Sequence, residues 1–229
     1  MIELRPFAKL GAADHGWLKA KHHFSFGSHY DPGNMGHGAL RVWNDDEIAP
    51  NTGFPAHPHA NMEIITYVRE GAITHQDSLG NKGRTEAGDV QVMSAGSGIR
   101  HSEYNLEPTT TRIFQIWIEP TTEGGQPTWG AKPFPKSNRS GRFVTLASGF
   151  ADDDRVVIGE FVDFGDRRGL IDLVVGGLGD IGRHQFGHAL DVDGGAGFAC
   201  AFGDSIRHRF NVAVSGIIEH EYFGHDGLL

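Results

Sequence analysis

Residues 62–77 read Met62-Glu63-Ile64-Ile65-Thr66-Tyr67-Val68-Arg69-Glu70-Gly71-Ala72-Ile73-Thr74-His75-Gln76-Asp77. A run rich in β-branched and aromatic side chains ends at Glu70-Gly71, and a second extended run follows at once. The cluster Leu79-Gly80-Asn81-Lys82-Gly83 then marks a turn. The same unit recurs on either side. Leu40-Arg41-Val42-Trp43 is short and apolar and is closed by Asn44-Asp45-Asp46, which with Glu47 reads as a solvated polar turn. Val90-Gln91-Val92-Met93 alternates and stops at Ser94-Ala95-Gly96-Ser97-Gly98, and Ile113-Phe114-Gln115-Ile116-Trp117-Ile118 is another strong strand. Strands at regular spacing, joined by glycine-containing turns and lacking helical periodicity, predict an all-β sandwich or barrel.

Between 119 and 141 the pattern breaks. Pro120, Gly124, Gly125, Pro127, Pro133 and Pro135 interrupt any regular element, so this stretch reads as a connection between two lobes. Strand-like runs resume at Phe143-Val144-Thr145-Leu146 and Val156-Val157-Ile158-Gly159-Glu160-Phe161-Val162. Beyond about Gly165 the signal decays, with Leu170-Ile171-Asp172-Leu173-Val174-Val175 the best remaining strand candidate.

Composition narrows the function classes. The 229 residues are 38% hydrophobic and 21% charged, enough apolar matter to bury a core and too much for a disordered chain. A net charge of -9 argues against direct binding to nucleic acid or to an anionic membrane. No apolar run approaches the ~20 residues a membrane helix needs. The start, Met1-Ile2-Glu3-Leu4-Arg5-Pro6, has neither a basic leader nor an apolar core, so no signal peptide is expected and the cytoplasm is the expected compartment. Cys200 stands alone, which rules out an internal disulfide and a cysteine zinc site.

Histidine carries the chemistry. His57-Pro58-His59 places two imidazoles two residues apart, on one face of a strand, where they can share a metal ion. Neutral imidazole suits iron, copper, nickel, manganese or zinc. His101-Ser102-Glu103 repeats the spacing. If the two strands face each other across a barrel, three histidines and a carboxylate converge and leave positions open for substrate and oxygen. Glu103 could then also accept a proton from a substrate hydroxyl. Glu63 is a further candidate, sharing strand parity with His59 if the strand runs unbroken. With 14 histidines in the chain, others need no metal. His22 and His23 occupy opposite faces of an extended segment, and His29, His37 and His75 lack partners at ligand spacing, so each reads as a surface or hydrogen-bonded histidine. His184 and His188, at i, i+4 among glycines, make a weak second pair. Gly96-Ser97-Gly98 lacks the lysine and helix of a phosphate cradle and reads as a tight turn that aims His101 inward.

These residues resemble a known family. Gly53-Phe54-Pro55-Ala56-His57-Pro58-His59-Ala60-Asn61-Met62-Glu63, the stretch His75-Gln76-Asp77-Ser78-Leu79-Gly80-Asn81, and Met93 through Asn105 are similar to the pirins of the cupin superfamily. Phe24-Ser25-Phe26, Tyr30-Asp31-Pro32 and Leu40 through Asp46 match too, so the resemblance runs from about Arg5 to Ile118. It is nearest to the short bacterial pirin-like proteins with quercetin 2,3-dioxygenase activity. The resemblance implies an all-β bicupin of two β-barrel lobes: residues 1–120 a metal-binding barrel, 121–141 a connection, 142–229 a cupin-like lobe without metal. It implies one divalent transition metal, iron(II) by family habit, on His57, His59, His101 and Glu103; other cupins use a glutamate at the place of Glu63. It implies quercetin and O2 as substrates, with a depside and carbon monoxide as products and Glu103 as the catalytic proton acceptor. The alternative is a non-enzymatic metal-binding regulator acting through a protein partner, as eukaryotic pirins are thought to do. After about 165 the chain departs from the family, through divergence or a shifted reading frame, and the closing strands of the second barrel are not recognisable.

Overall fold

The computed structural model describes residues 5–134, 136, 144–148, 156–157, 171–176 and 210–215. Fifteen strands occur there: β1 (Gly11–Asp14), β2 (Leu18–His22), β3 (Leu40–Ile48), β4 (Thr52–His59), β5 (Glu63–Glu70), β6 (Ala72–Asp77), β7 (Lys82–Glu86), β8 (Val90–Ser94), β9 (Ile99–Asn105), β10 (Thr111–Ile118), β11 (Thr128–Lys132), β12 (Val144–Ser148), β13 (Val156–Val157), β14 (Ile171–Gly176) and β15 (Phe210–Ser215). The only helical element among the described residues is one 3-10 turn, Phe7–Lys9. The fold is all-β, as the pattern predicts.

Seven strands form one sheet in the order β1-β2-β3-β10-β5-β8-β11, and four form a second in the order β4-β9-β6-β7. All pairings within these two sheets are antiparallel. β10 is the central strand of the larger sheet, and it is buried on both faces. Thr111, Ile113, Gln115 and Trp117 point into the barrel, while Phe114, Ile116 and Ile118 point out. One apolar cluster fills the barrel's far end with Leu18, Ile48, Val68, Ile73 and Ile113. A second covers the outer face of the larger sheet, where Ile65, Val92, Phe114 and Ile118 meet Phe24, Phe134 and the fully buried Leu146 and Ala147 of β12. The β12 strand thus docks on the first barrel through the outer face of its larger sheet.

Two expectations are corrected. Asn44, Asp45 and Asp46 are not a solvated turn: β3 runs straight through them, and all three are buried. Asp45 faces outward to the Arg69 guanidinium, which itself lies 4.5 Å over the Phe114 ring, whereas Asn44 and Asp46 face the barrel interior. The run reads as a turn in sequence because the partner of Asp45, Arg69, lies far along the chain. The prolines of 119–141 do not prevent a strand either. β11 lies between them and extends the larger sheet by pairing with β8, Trp129 opposite Met93.

Beyond 143, β12, β13, β14 and β15 make a four-stranded sheet in the order β13-β12-β14-β15. Its outer pairs are parallel and its inner pair antiparallel. Three of the sequence-predicted runs begin or fall in it, while His184, His188, Cys200 and the segment 177–209 lie outside the described residues.

Candidate metal centre

The smaller sheet builds the site. β4 and β9 are adjacent, with His57 directly opposite His101 and a bulge between Phe54 and His57. They do not face each other across the barrel, and their pairing is what brings the imidazoles together. β9 alternates, so Ile99, His101, Glu103 and Asn105 are buried while Arg100, Ser102 and Tyr104 face out. The β8–β9 turn uses Gly96 and Gly98 at positive φ, consistent with a tight turn that delivers His101 inward. Ring centroids are 4.5 Å apart for His57 and His101, 4.8 Å for His57 and His59, and 5.0 Å for His59 and His101. The three rings offer nitrogens that all lie within 4.8 Å of one another.

The hydrogen bonding suits a cation. His57 Nδ1 donates to the Pro55 carbonyl at 2.7 Å, which leaves Nε2 as a lone pair. That lone pair faces His101 Nε2 at 3.1 Å. His59 Nε2 is buried and has no hydrogen-bond partner among the described residues. A buried polar atom left so costs about 1–3 kcal/mol unless something meets it. Burial first, then the neighbouring rings, holds His59 down at about 4 and His101 at about 3. Both are therefore neutral at physiological pH, the state in which imidazole ligates a metal. The residues present fit a divalent transition ion.

Glu103 lies in the same cavity, 2% exposed and held by three donors. Thr66 Oγ1 (2.9 Å) and Gln91 Nε2 (2.6 Å) donate to Oε1, and Gln115 Nε2 (2.6 Å) donates to Oε2. Oε2, with one donor, keeps an accepting position. Glu103 also forms a compact group with His101 and the fully buried His75. Glu63 is elsewhere. The chain turns out of the small sheet at Asn61, whose φ is 50°, and β5 enters the other sheet, so strand parity does not carry across. Glu63 faces away from the barrel, accepts a hydrogen bond from Ser94, and is raised in pKa by burial.

A cavity of about 260 Å³ opens onto these groups. Phe26, Phe54, Leu18 and Trp117 give it apolar walls, and Asn44, Asp46 and Gln115 give it a polar one beside Glu103. His22 lines it too, hydrogen-bonded through Nδ1 to Asn44 Oδ1 at 2.9 Å. Asp46 is 2% exposed with Oδ1 unpartnered; burial, then Asp45 and Glu103, raise it to about 8. The sequence reading missed Asn44, Asp46, Gln115, Gln91 and Thr66. The one available signal was polar residues at alternate positions of apolar strands, as at Gln91 and Gln115.

Comparison with known proteins agrees with this architecture. A family model described as Pirin matches residues 4–118. A pirin-like protein of Caulobacter vibrioides is 82% identical over 153 residues, 67% of this chain and 66% of that protein's length. The quercetin 2,3-dioxygenase of Escherichia coli K12 is 53% identical over 135 residues, 58% of each chain. The crystal structure of the Escherichia coli pirin YhhW in complex with nickel(II) superposes with a TM-score of 0.64 at 46% identity, covering 69% of this chain and 67% of that one. The matched stretch thus leaves a third or more of several relatives' length outside the similarity. On the family match, the sequence identities and the shared structure, the chain belongs to the pirin family.

Proposed function

We propose that the chain is a metal-dependent dioxygenase that opens the flavonol quercetin with O2 to give a depside and carbon monoxide. Both oxygen atoms enter the products, so no external reductant is needed. In this reading one divalent ion, iron(II), is held by His57, His59, His101 and Glu103. Residues 1–120 carry the chemistry in the cytoplasm, and 142–229 form a metal-free lobe. The supporting observation is the convergence of three imidazoles, one of them unpartnered at Nε2, at a cavity with aromatic walls. The relatives named for quercetin cleavage or solved with nickel(II) support the same direction.

The ion, when bound, supplies positive charge that acidifies a bound hydroxyl and a redox-capable centre for oxygen chemistry. The chain's residues do the rest. Phe26, Phe54 and Trp117 offer faces and edges to a planar ring system and keep water from it. Glu103 takes the proton of the flavonol 3-hydroxyl, and Thr66, Gln91 and Gln115 hold its carboxylate in place for that transfer. The test separates binding from turnover. Metal-loaded protein under anaerobic conditions should bind quercetin without consuming it, and admitting oxygen should start carbon monoxide release. No oxygen uptake with any flavonol would overturn the dioxygenase reading; a protein partner recovered by pull-down would then favour a regulator.

A further inference from the structure

Behind His101 lies a chain of contacts that the ligand set does not use. His75, fully buried on β6, places Nδ1 3.4 Å from His101 Nδ1. Its Nε2 lies 3.1 Å from Asp77 Oδ2. Asp77 is fixed in turn, accepting from the Leu79 N–H (2.9 Å), the Asn81 N–H (3.0 Å) and Asn81 Nδ2 (2.8 Å). Trp129 stacks on the His75 ring at 4.7 Å and 9°. Gly83 pairs with His75 across the β6–β7 ladder, and a Cβ there would meet Trp129 at 2.3 Å, so the glycine makes room for the stack.

Four contacts therefore run from Asp77 through His75, His101 and His57 to the Pro55 carbonyl. Both ends are acceptors. With one N–H on each ring, three imidazoles carry three protons, and four contacts need four. Asp77 claims the proton on His75 Nε2, and Pro55 claims the one on His57 Nδ1. His101 has one proton left for two neighbours, so one of its contacts holds two facing lone pairs. A cation between His57 and His101 takes the place of the missing proton, and the proton of His101 then belongs on Nδ1, donated to His75.

We propose that His75 and Asp77 are positioning residues, a carboxylate–imidazole relay that sets the tautomer of His101 so that its Nε2 lone pair is presented to the metal. The proposal rests on reading His57, His59 and His101 as ligands, and extends the site to two residues that touch neither metal nor substrate. Such partners are worth about 10–100-fold in metal affinity.

The test uses Zn(II), a diamagnetic probe, with two readouts: Zn(II) affinity by competition titration, and the tautomer of His101 by NMR on protein labelled with 15N-histidine. The wild type with Zn(II) should carry the His101 proton on Nδ1. Asp77→Asn keeps an oxygen for the Leu79 and Asn81 amides but turns an NH2 toward His75, so the relay inverts and the His101 proton moves to Nε2. Zn(II) affinity should then fall by about 10–100-fold. His75→Phe keeps the stack on Trp129 but removes the acceptor, and should weaken Zn(II) less than Asp77→Asn does. Wild-type affinity in both variants would overturn the relay. So would weakened binding in Asp77→Asn with the His101 proton still on Nδ1, since the role would then be structural. If Asp77→Asn does not fold, unchanged affinity in His75→Phe overturns it alone. A wild type that takes up no Zn(II) would instead remove the metal reading itself.

Discussion

Glu103 and Glu63 are both buried carboxylates, and their surroundings separate them. Glu103 accepts from two amides and a hydroxyl inside the cavity, while Glu63 is tied to Ser94 on the sheet's other face. Glu103→Gln should therefore abolish turnover and weaken metal binding, since an amide neither balances charge nor takes a proton. Glu63→Gln should leave metal affinity near wild type, and the opposite ranking would move the site to the arrangement of other cupins. Asp46 gives a second prediction, in stability. Burial, and then the nearby Asp45 and Glu103, raise its carboxyl from the ordinary 3.8 to about 8. The folded protein then holds a proton that the unfolded chain has lost across that window. This contribution is fully present below about pH 4 and is lost as pH rises toward 8. Asp46→Asn should flatten the fall in stability between pH 5 and 8, as read by urea unfolding at each pH. An unchanged slope would mean the carboxyl is already ionised there. At this scale His57, His59, His101 and Glu103 were legible in advance as candidate ligands, because spacing of two on a strand is a local property. His75 was not read as part of the site: Asp77 stands at the same local spacing of two, but His101 and Trp129 become its neighbours only through β6–β9 pairing and the placement of β11.

The pairing of β4 with β9 is the element on which the centre depends. Gly53 sits opposite Tyr104 in that ladder, and a Cβ there would lie 2.3 Å from the Glu103 carbonyl oxygen and 2.5 Å from Tyr104 Cα. Those are backbone atoms, so no side-chain rotation relieves the clash. Gly53→Ala should push β4 off β9, cost about 1–3 kcal/mol by denaturant unfolding, and weaken metal binding as His57 parts from His101. Wild-type metal affinity in that variant would show that the ladder tolerates the shift. Strand existence was legible at 62–68, 72–77, 90–93 and 113–118, where β-branched residues are dense. What periodicity could not give was which strands become neighbours, and so β4 and β9 were expected to face each other when they lie side by side. β11 was hidden because prolines around it read as breaks, although none falls within Thr128–Lys132.

Across the whole molecule, the larger sheet separates two jobs. Its inner face carries Gln115, Gln91 and Asn44 toward the cavity, and its outer face carries Ile65, Phe114 and Ile118 against Leu146 and Ala147. No helix among the described residues is long and apolar enough to cross a membrane. The large-scale plan was legible as all-β because alternation and turn residues recur along the first 118 residues. In the later sheet β12, β13 and β14 fall in runs legible as strands, while β15 was missed because glycines are dense in the sequence before it. The central claim is that three imidazoles and Glu103 hold one transition ion, and metal analysis of the purified protein tests it most directly. The account predicts close to one ion per chain in the wild type, and loss of most of it in His57→Ala/His101→Ala at unchanged fold. Full retention of the ion by that double variant would contradict it.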